Sequence, residues 1–498
     1  MNALLKYTGY PLVDVGAATI AAFSNKRDLA TVEAKDLDEM AVFIAECYTR
    51  EPLKRFIASI FPNAGYVNSN MHDDKRAREI ERVLYGYRAS IPDHAPPCVF
   101  CARPAVEKVF RQHIPLITGD EVMNLGAEGK PGLSVCGTCL LCVQAFPLGS
   151  KLRCNRRSLL VHSDVPDLIL GFAREFLLEN RRILSISNSS EENANYPRTI
   201  ILNALSSIDD SRHIDDDEVM LSLTAYHLTN YGTAPDITIY RLPSEVLQFV
   251  RVARSAKYRT VWNRLVARAW ELPRQANRKK VNHTDLTVDA MVQHTEDHQA
   301  VSRRNLLYES LFDEPINSRQ FIRLHVLRHA TSTALDNNLE EVDVRLASWP
   351  LTSLFLKEVT GMDRIRIDAI KQVGDRLAAL IFDDEDQRLL TDLYGKNKGM
   401  LGYRALRSTL VKASTRQIKS GKPVIISFDE IVTIFEYSQD TPRVDWELAR
   451  DLLYIRVLDW LYERGFFRSH PEAAQEIAEQ ADDVATDEDG ETAQSIEL

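Results

Sequence analysis

Cys98-Val-Phe-Cys101 and Cys136-Gly-Thr-Cys139 are the stretches that decide how this chain is read. Two Cys-x-x-Cys knuckles can converge on one tetrahedral metal, where four thiolates replace water around Zn²⁺. Pro96-Pro97 ahead of the first knuckle and Gly137 inside the second supply the turn-forming residues that let the sulfurs point inward. Four thiolates fill the shell, so the expected zinc is structural and has no open position at which water could be activated. Residues 102–135 separate the knuckles, a longer span than the loop of a short zinc ribbon, and the expectation is a zinc-ribbon-like insertion over about 95–155. Cys142 and Cys154 stand close enough in sequence to replace one of the four ligands, and Cys47 reads as ordinary core. The competing reading is four buried or free thiols in a reducing compartment.

At 498 residues and 45% hydrophobic, the chain is long enough for two or three domains with real cores. No apolar run approaches the roughly 20 residues of a membrane span. The start, Met1-Asn-Ala-Leu-Leu-Lys6, lacks the long apolar stretch and cleavage site of a signal peptide, so a cytoplasmic protein with no membrane partner is expected. The net charge of −10 is concentrated at one end: from Glu472 to Leu498 there are ten Asp or Glu and no Lys or Arg, and the rest of the chain is balanced.

Within that balanced body the positive charge is clustered. One stretch carries Arg251, Arg254, Lys257, Arg259, Arg264, Arg268, Arg274, Arg278, Lys279 and Lys280 against the single acid Glu271. A second carries Lys396, Lys398, Arg404, Arg407, Lys412, Arg416, Lys419 and Lys422 with no acid at all. Basic stripes of this kind suit a phosphate backbone, and Phe249, Tyr258, Trp262 and Trp270 interleave the first as candidate stacking surfaces. The plainer alternative is a solvated helix face with core aromatics.

The pattern along the chain predicts an α+β fold. Thr8-Gly9-Tyr10-Pro11 is a punctuated loop, Asp36 to Cys47 has helical apolar spacing, and a polar loop from Pro62 to Asn70 precedes a charged helix from Asp73 to Tyr87. Strands are expected from Glu218 to Leu228 and from Asp236 to Leu242. Beyond Pro350 the apolar spacing is helical in Leu354 to Val359, Ile365 to Ile381 and Trp446 to Leu461, which predicts a helical bundle. Asp445 is placed as an N-cap, with Leu448, Leu452 and Ile455 on one stripe. The domains expected are an N-terminal α+β domain over 1–350 that holds the insertion, a helical bundle over 351–470, and a disordered acidic tail over 471–498.

The familiar catalytic signatures are missing, with no phosphate loop, dinucleotide fingerprint, nucleophile elbow or zinc-protease helix. The pairs His294/His298 and His325/His329 have the spacing that puts two imidazoles on one helix face. The first has its Glu misplaced for a zinc protease, and the second sits among arginines. The run Asp215-Asp-Asp-Glu218 reads as a solvated loop.

Taken together, several motifs resemble the large subunit of the type I CRISPR interference complex, Cascade, in the "Cas eight" family, and specifically its type I-B-like branch with a paired Cys-x-x-Cys insertion. They are Tyr7-Thr-Gly-Tyr-Pro-Leu-Val-Asp-Val-Gly16, Cys98-Val-Phe-Cys-Ala-Arg-Pro104, Gly132-Leu-Ser-Val-Cys-Gly-Thr-Cys139, Gln144-Ala-Phe-Pro-Leu-Gly-Ser150 and Tyr226-His-Leu-Thr-Asn-Tyr-Gly232. The resemblance implies a non-catalytic subunit that grips the crRNA 5′ handle and target double-stranded DNA, inspects the protospacer-adjacent motif and holds the opened strands. It also implies backbone and small subunits as partners, and a recruited helicase-nuclease or, in other branches, transposition proteins. Base pairing reads the target in such systems, while protein reads a short flanking motif and the backbone. The resemblance assigns no single residue to motif reading; in the polar loop 63–70, Asn63, Asn68 and Asn70 are side chains that could enter a minor groove, and an ordinary surface loop is the plainer alternative. An internal start at Met291 or Met362 would yield a small subunit resembling the C-terminal helical part. The rival readings are a zinc-ribbon nuclease, which needs an acidic metal cluster or activated nucleophile, and a zinc-ribbon transcription factor, which binds DNA with no guide.

Overall fold

Helix α1 (Pro11–Phe23) starts on a proline, whose missing N–H is one of the unbonded donors of any helix start. Every residue from Val13 to Ala22 is buried, and most are small, so neighbouring elements close on α1 from all sides. The computed structural model describes residues 3–68, 71–91, 93–117, 131–155, 157–185, 195–208, 222–231, 235–271, 303–327, 348–394, 399–438 and 441–473. It is a mixed α and β chain that divides into two compact units, Met1–Leu247 with His298–Arg304, and Gln248–Asp297 with Asn305–Leu498. The predicted strand residues Glu218 to Leu221, the His294/His298 pair, the acidic run 215–218 and residues 474–498 lie outside the described residues.

In the first unit, α1 is followed by α2 (Ala34–Cys47), α3 (Leu53–Ile60) and α4 (Asp73–Leu84). Next come strands β1 (Glu107–Val109) and β2 (Leu133–Val135), which pair antiparallel, and α5 (Gly137–Ala145), which is buried along its whole length. A four-stranded antiparallel sheet runs in the order β3 (Lys151–Cys154), β4 (Arg157–Ser163), β5 (Leu223–Thr229) and β6 (Asp236–Leu242). Its register sets Leu159 opposite His227 and Tyr226 opposite Ile239. Helices α6 (Pro166–Ser185) and α7 (Pro197–Ser207) lie between β4 and β5 in the chain, and α8 (Ser244–Ala253) leads onward.

The crossing of α1 and α5 fixes this core. A methyl added at Gly16 would sit 1.8 Å from the carbonyl oxygen of Cys142, so the two backbones touch where only hydrogen fits. Gly137 does the same for the 3₁₀ turn Gly86–Arg88, since its missing Cβ would lie 2.1 Å from the carbonyl carbon of Gly86. Its role is close approach, in addition to the turn read from sequence.

The second unit contains α9 (Arg259–Arg268), α10 (Leu306–Leu311), α11 (Ser318–Phe321), α12 (Trp349–Glu358), α13 (Arg364–Asp384), α14 (Gln387–Tyr394) and α15 (Gly399–Lys419). It continues with α16 (Phe428–Phe435), the short hairpin of β7 (Glu436–Ser438) and β8 (Thr441–Pro442), α17 (Trp446–Glu463) and α18 (Phe466–Ser469). This unit begins about a hundred residues before position 351 because aromatic packing ties the earlier helices to α12. Phe321 stacks on Phe355 with centroids 4.5 Å apart, and Phe249 meets Phe355 edge-on at 5.3 Å. The packed chain also extends past 471, since Ala473 is buried.

Helix α17 is buried on every side, so its apolar stripe of Leu448, Leu452 and Ile455 is one part of a wider contact. Its charges are paired both within the helix and with its neighbours: Arg450 with Asp451 at 2.8 Å, Arg456 with Asp459 and with Asp375 of α13, each at 2.6 Å, and Glu447 with Arg319 of α11. Asp445 occupies the N-cap position without capping. Its carboxylate instead accepts from both terminal nitrogens of Arg366, at 2.6 and 3.0 Å, and that guanidinium also donates to the Ile434 carbonyl. A bidentate charged pair outcompetes the local backbone donors for those oxygens.

Candidate metal centre

The first knuckle is a tight loop closed by an isolated bridge between Pro97 and Pro104. The Cys98 N–H donates to the Arg103 carbonyl at 2.7 Å, and the Ala102 N–H donates to the Cys98 carbonyl at 2.9 Å. Ala102 takes a left-handed backbone, φ +61°, to complete the turn. The Val99 N–H reaches the Ser134 carbonyl at 3.0 Å and so docks the loop on the strand that leads into the second knuckle. That second knuckle is a helix start, with Cys136 the N-cap of α5 and its Sγ accepting from the Cys139 N–H at 3.4 Å. The free N–H groups of a helix start favour negative charge, which suits a pair of thiolates.

The four sulfurs of Cys98, Cys101, Cys136 and Cys139 all lie within 4.8 Å of one another, and all four residues are buried. Cys101 and Cys136 are 3.5 Å apart. A tetrahedral tetrathiolate with metal–sulfur bonds of about 2.3 Å needs sulfurs about 3.8 Å apart, so this set fits a metal ion. Thiol hydrogen bonds from Cys136 and Cys139 hold Cys98 as the easily ionised member, well below the usual thiol range. The bond with Cys136, then the bond with Cys98 and burial, push Cys139 far up. Cys136 gains from its bond with Cys139, but the bond to Cys98 and burial outweigh this and push it up to about 12. Arg103 brings a cation to the cluster, donating from Nε to Cys101 Sγ at 3.4 Å and from a terminal nitrogen to the Leu4 carbonyl at 2.9 Å.

Neither Cys142 nor Cys154 joins the cluster. Cys142 faces the core from the middle of α5, and Cys154 closes β3, where burial pushes its thiol up to about 12. Cys47 is buried at the end of α2. Among the described residues the cysteine set is the one group of three or more His, Cys, Asp or Glu side chains brought together with ligand spacing.

Around the centre, polar residues tie the knuckles to the rest of the unit. Asp14 is buried and accepts from Thr8 N at 2.7 Å, Gly9 N at 2.9 Å and His162 Nε2 at 3.1 Å, which pins the opening loop to β4. Gln144 on α5 donates to the His113 carbonyl at 2.7 Å and accepts from Tyr66, while the Tyr48 hydroxyl donates to its carbonyl at 2.6 Å. Asn230 is wholly buried and donates to the Ile60 carbonyl at 3.0 Å while accepting from Arg111 Nε at 3.1 Å. Asp14, Gln144 and Asn230 fall inside the resembling motifs, but the sequence alone gives these side chains no such bonding role. Their signal there was an acid placed just inside a helix that follows a Thr-Gly turn, and amides in otherwise apolar segments.

The proposed nucleic-acid residues all belong to the second unit. Lys257, Arg259 and Arg404 are exposed, while Arg251, Arg254, Arg264, Arg268 and Arg407 are half-buried. Arg274, Arg278, Lys279, Lys280, Lys396 and Lys398 lie outside the described residues. Two readings are corrected. Phe249 and Trp262 are core, packed edge-on with centroids 5.7 Å apart, and Trp270 packs on Tyr308, so these rings are not open stacking surfaces. The second stripe, free of acids in sequence, is neutralised in space at one end: Arg416 pairs with Asp384 and Asp386, Lys422 with Asp383, and Arg407 approaches Glu436. The acids come from the end of α13 and from β7, segments distant in sequence.

The loop holding Asn63 and Asn68 is anchored by buried Ala64, Tyr66 and Val67. Asn63 is exposed with φ +63°, a turn position that asparagine tolerates, and Asn68 is exposed with its carbonyl accepting from Arg76. Asn70 lies outside the described residues, as does His329. His325 is buried and bonds Ser310 at 2.9 Å.

Among the described residues, no helix is long and apolar enough to cross a membrane. Comparison of the chain with family models, curated proteins and solved structures gave no match.

Proposed function

We propose that this chain is a non-catalytic large subunit of a crRNA-guided type I CRISPR interference complex, with zinc in the four-cysteine site. The observation that carries the reading is where the resembling motifs fall. Tyr7 to Gly16, Cys98 to Pro104, Gly132 to Cys139, Gln144 to Ser150 and the described part of Tyr226 to Gly232 all belong to one unit. Residues from different motifs also serve a common core: the Gly16 backbone abuts α5, Gln144 holds the segment between the knuckles, and Asn230 holds Arg111. Motifs that form one packing unit support a shared family origin better than motifs scattered over a surface would.

In this reading the zinc stiffens a zinc-ribbon-like insertion, the closed thiolate shell leaves chemistry to a recruited helicase-nuclease, and the helical second unit is a bundle whose exposed cations meet nucleic-acid phosphates. Asn63 and Asn68 remain the candidates for reading the flanking motif. An internal start at Met362 would open a small subunit just ahead of α13, whose N-cap is Asp363.

The test is assembly. The purified chain, co-expressed with a crRNA and the backbone and crRNA-processing subunits of a type I-B system, is expected to enter one guide-bearing particle with about one zinc per chain. Failure to join that particle refutes the reading. Cleavage of DNA by the chain alone with Mg²⁺ would indicate a nuclease, and stable specific DNA binding without a guide would indicate a transcription factor.

A further inference from the structure

Helix α15 has an inner face, with Leu406, Leu410, Ala413 and Gln417 buried, and an outer face of unusual composition. Val411 and Ile418, two turns apart, are 48% and 58% exposed, and Arg404, Lys412 and Lys419 stand exposed around them. Among the described residues no carboxylate pairs with those three cations, although Arg416 on the same helix is held by two aspartates. A basic surface centred on exposed aliphatic side chains suits an occupant that is acidic and carries apolar residues of its own.

We propose that this occupant is the chain's own acidic C-terminal segment, residues 474–498, docked along the outer face of α15. Three observations favour it. The described chain leaves beside this helix: Glu472 Oε1 accepts from Gln387 Nε2 at 2.9 Å, Gln387 follows Asp386, and Asp386 is bound to Arg416 of α15. The segment is long enough, since residues 474–498 can extend about 80 Å, whereas a helix of 21 residues is about 30 Å long. Its composition is complementary, with nine Asp or Glu, no Lys or Arg, and Ile477, Val484 and Ile496 as aliphatic side chains of its own. Tethering also raises its effective concentration into the millimolar range, so weak contacts suffice. The inference is independent of the Cascade reading. If both hold, the segment stands where a polyanion would otherwise bind and competes with it.

The test uses the full chain, as an equimolar mixture of ¹⁵N-labelled and unlabelled protein. Treatment with a zero-length carbodiimide at low ionic strength joins lysines to carboxylates in contact, and digestion with mass spectrometry maps the links. Expected are links from Lys412 or Lys419 to acids between Glu476 and Glu497 within one isotopic copy. These should fall at least tenfold at 1 M salt, where the screening length is about 3 Å. They should fall similarly in a chain carrying Asp482→Asn, Asp483→Asn, Asp487→Asn, Glu488→Gln and Asp489→Asn. Segment links made only to other lysines, or absent, overturn the proposal. Mixed labelled–unlabelled links that reach the statistical half of the total assign the face to a second copy and overturn it as well. Lysines shielded by co-purifying nucleic acid, with no segment link after nuclease treatment, assign the face to nucleic acid and overturn it too.

Discussion

Gly16→Ala tests the packing on which the metal centre rests, because two arguments predict opposite signs. In a helix interior, alanine is preferred over glycine by about 1 kcal/mol, so local propensity predicts a more stable protein. In place, the added methyl would stand 1.8 Å from the Cys142 carbonyl oxygen and 2.4 Å from its carbon, where ordinary contact begins at 3.4 Å. Both are backbone atoms, so no rotamer change relieves the overlap, and α1 and α5 must separate along a contact that is buried throughout. Overpacking costs about 1–3 kcal/mol where side chains can adjust, and a backbone obstacle places this case at about 3 or above. After the propensity gain, a net loss of about 2 kcal/mol or more remains. Helix α5 begins at Cys136 and carries Cys139 in its first turn, so the displacement should also loosen the thiolate cluster. All five tryptophans lie in the second unit, and the assay is therefore urea unfolding followed by far-ultraviolet circular dichroism, together with the rate of metal transfer to a chelator. A lower midpoint and faster transfer are expected. A midpoint equal to or above that of the parent protein would refute the close-crossing argument.

Four further outcomes follow from the same geometry. Cys136→Ser should abolish stoichiometric metal by elemental analysis and increase hydrogen exchange around the two knuckles, since a structural metal such as zinc contributes roughly 10–16 kcal/mol of apparent binding energy in small peptides, whereas Cys142→Ser should leave metal content unchanged. Asn230→Ala strips a donor from the Ile60 and Arg111 carbonyls and an acceptor from the Arg111 guanidinium, each buried group costing about 1–3 kcal/mol when left unpaired, and should lower the unfolding midpoint seen by circular dichroism. Arg456→Met removes the cation facing Asp375 and buried Asp459 and should cost about 3–5 kcal/mol, read from the fluorescence of nearby Trp460 during denaturation. Burial raises the Glu314 carboxyl from 4.5 to about 7, so below pH 4.5 both folded and unfolded chains hold the proton, and stability falls as pH rises from 4.5 to 7 because the unfolded chain ionises first. Glu314→Gln should remove that slope and raise the thermal midpoint at pH 8.

What the sequence made legible was whatever depends on short separations. The two knuckles were visible because each is four residues long and its chemistry is local. The helices Ala34–Cys47 and Arg364–Asp384 and the strand Asp236–Leu242 were visible because their apolar spacing repeats within one element. Asp445 shows where this reading reaches its limit: the residue sits where a cap belongs, yet Arg366, far away in the chain, takes its carboxylate. The acid-free stripe over 396–422 fails for the same reason, since its counter-charges come from Asp383, Asp384 and Asp386.

The aromatic residues of the first basic stripe carry the lesson further. Phe249 and Trp262 recur among arginines at helical spacing, and periodicity alone cannot distinguish a ring turned toward a base from a ring turned toward Phe355. Burial decides, because a ring packed edge-on in the core has no face left for a base. The nucleic-acid reading therefore rests chiefly on exposed cations, Lys257, Arg259 and Arg404 among the described residues, with the half-buried Tyr258 ring beside Lys257 left as a stacking candidate. With three of the four candidate rings packed against other side chains, affinity must come mainly from phosphate contacts and counterion release, which makes it steeply dependent on salt and nearly indifferent to sequence. Under the proposed function, such cations would hold opened strands without reading them, and the flanking motif would fall to the loop of Asn63 and Asn68.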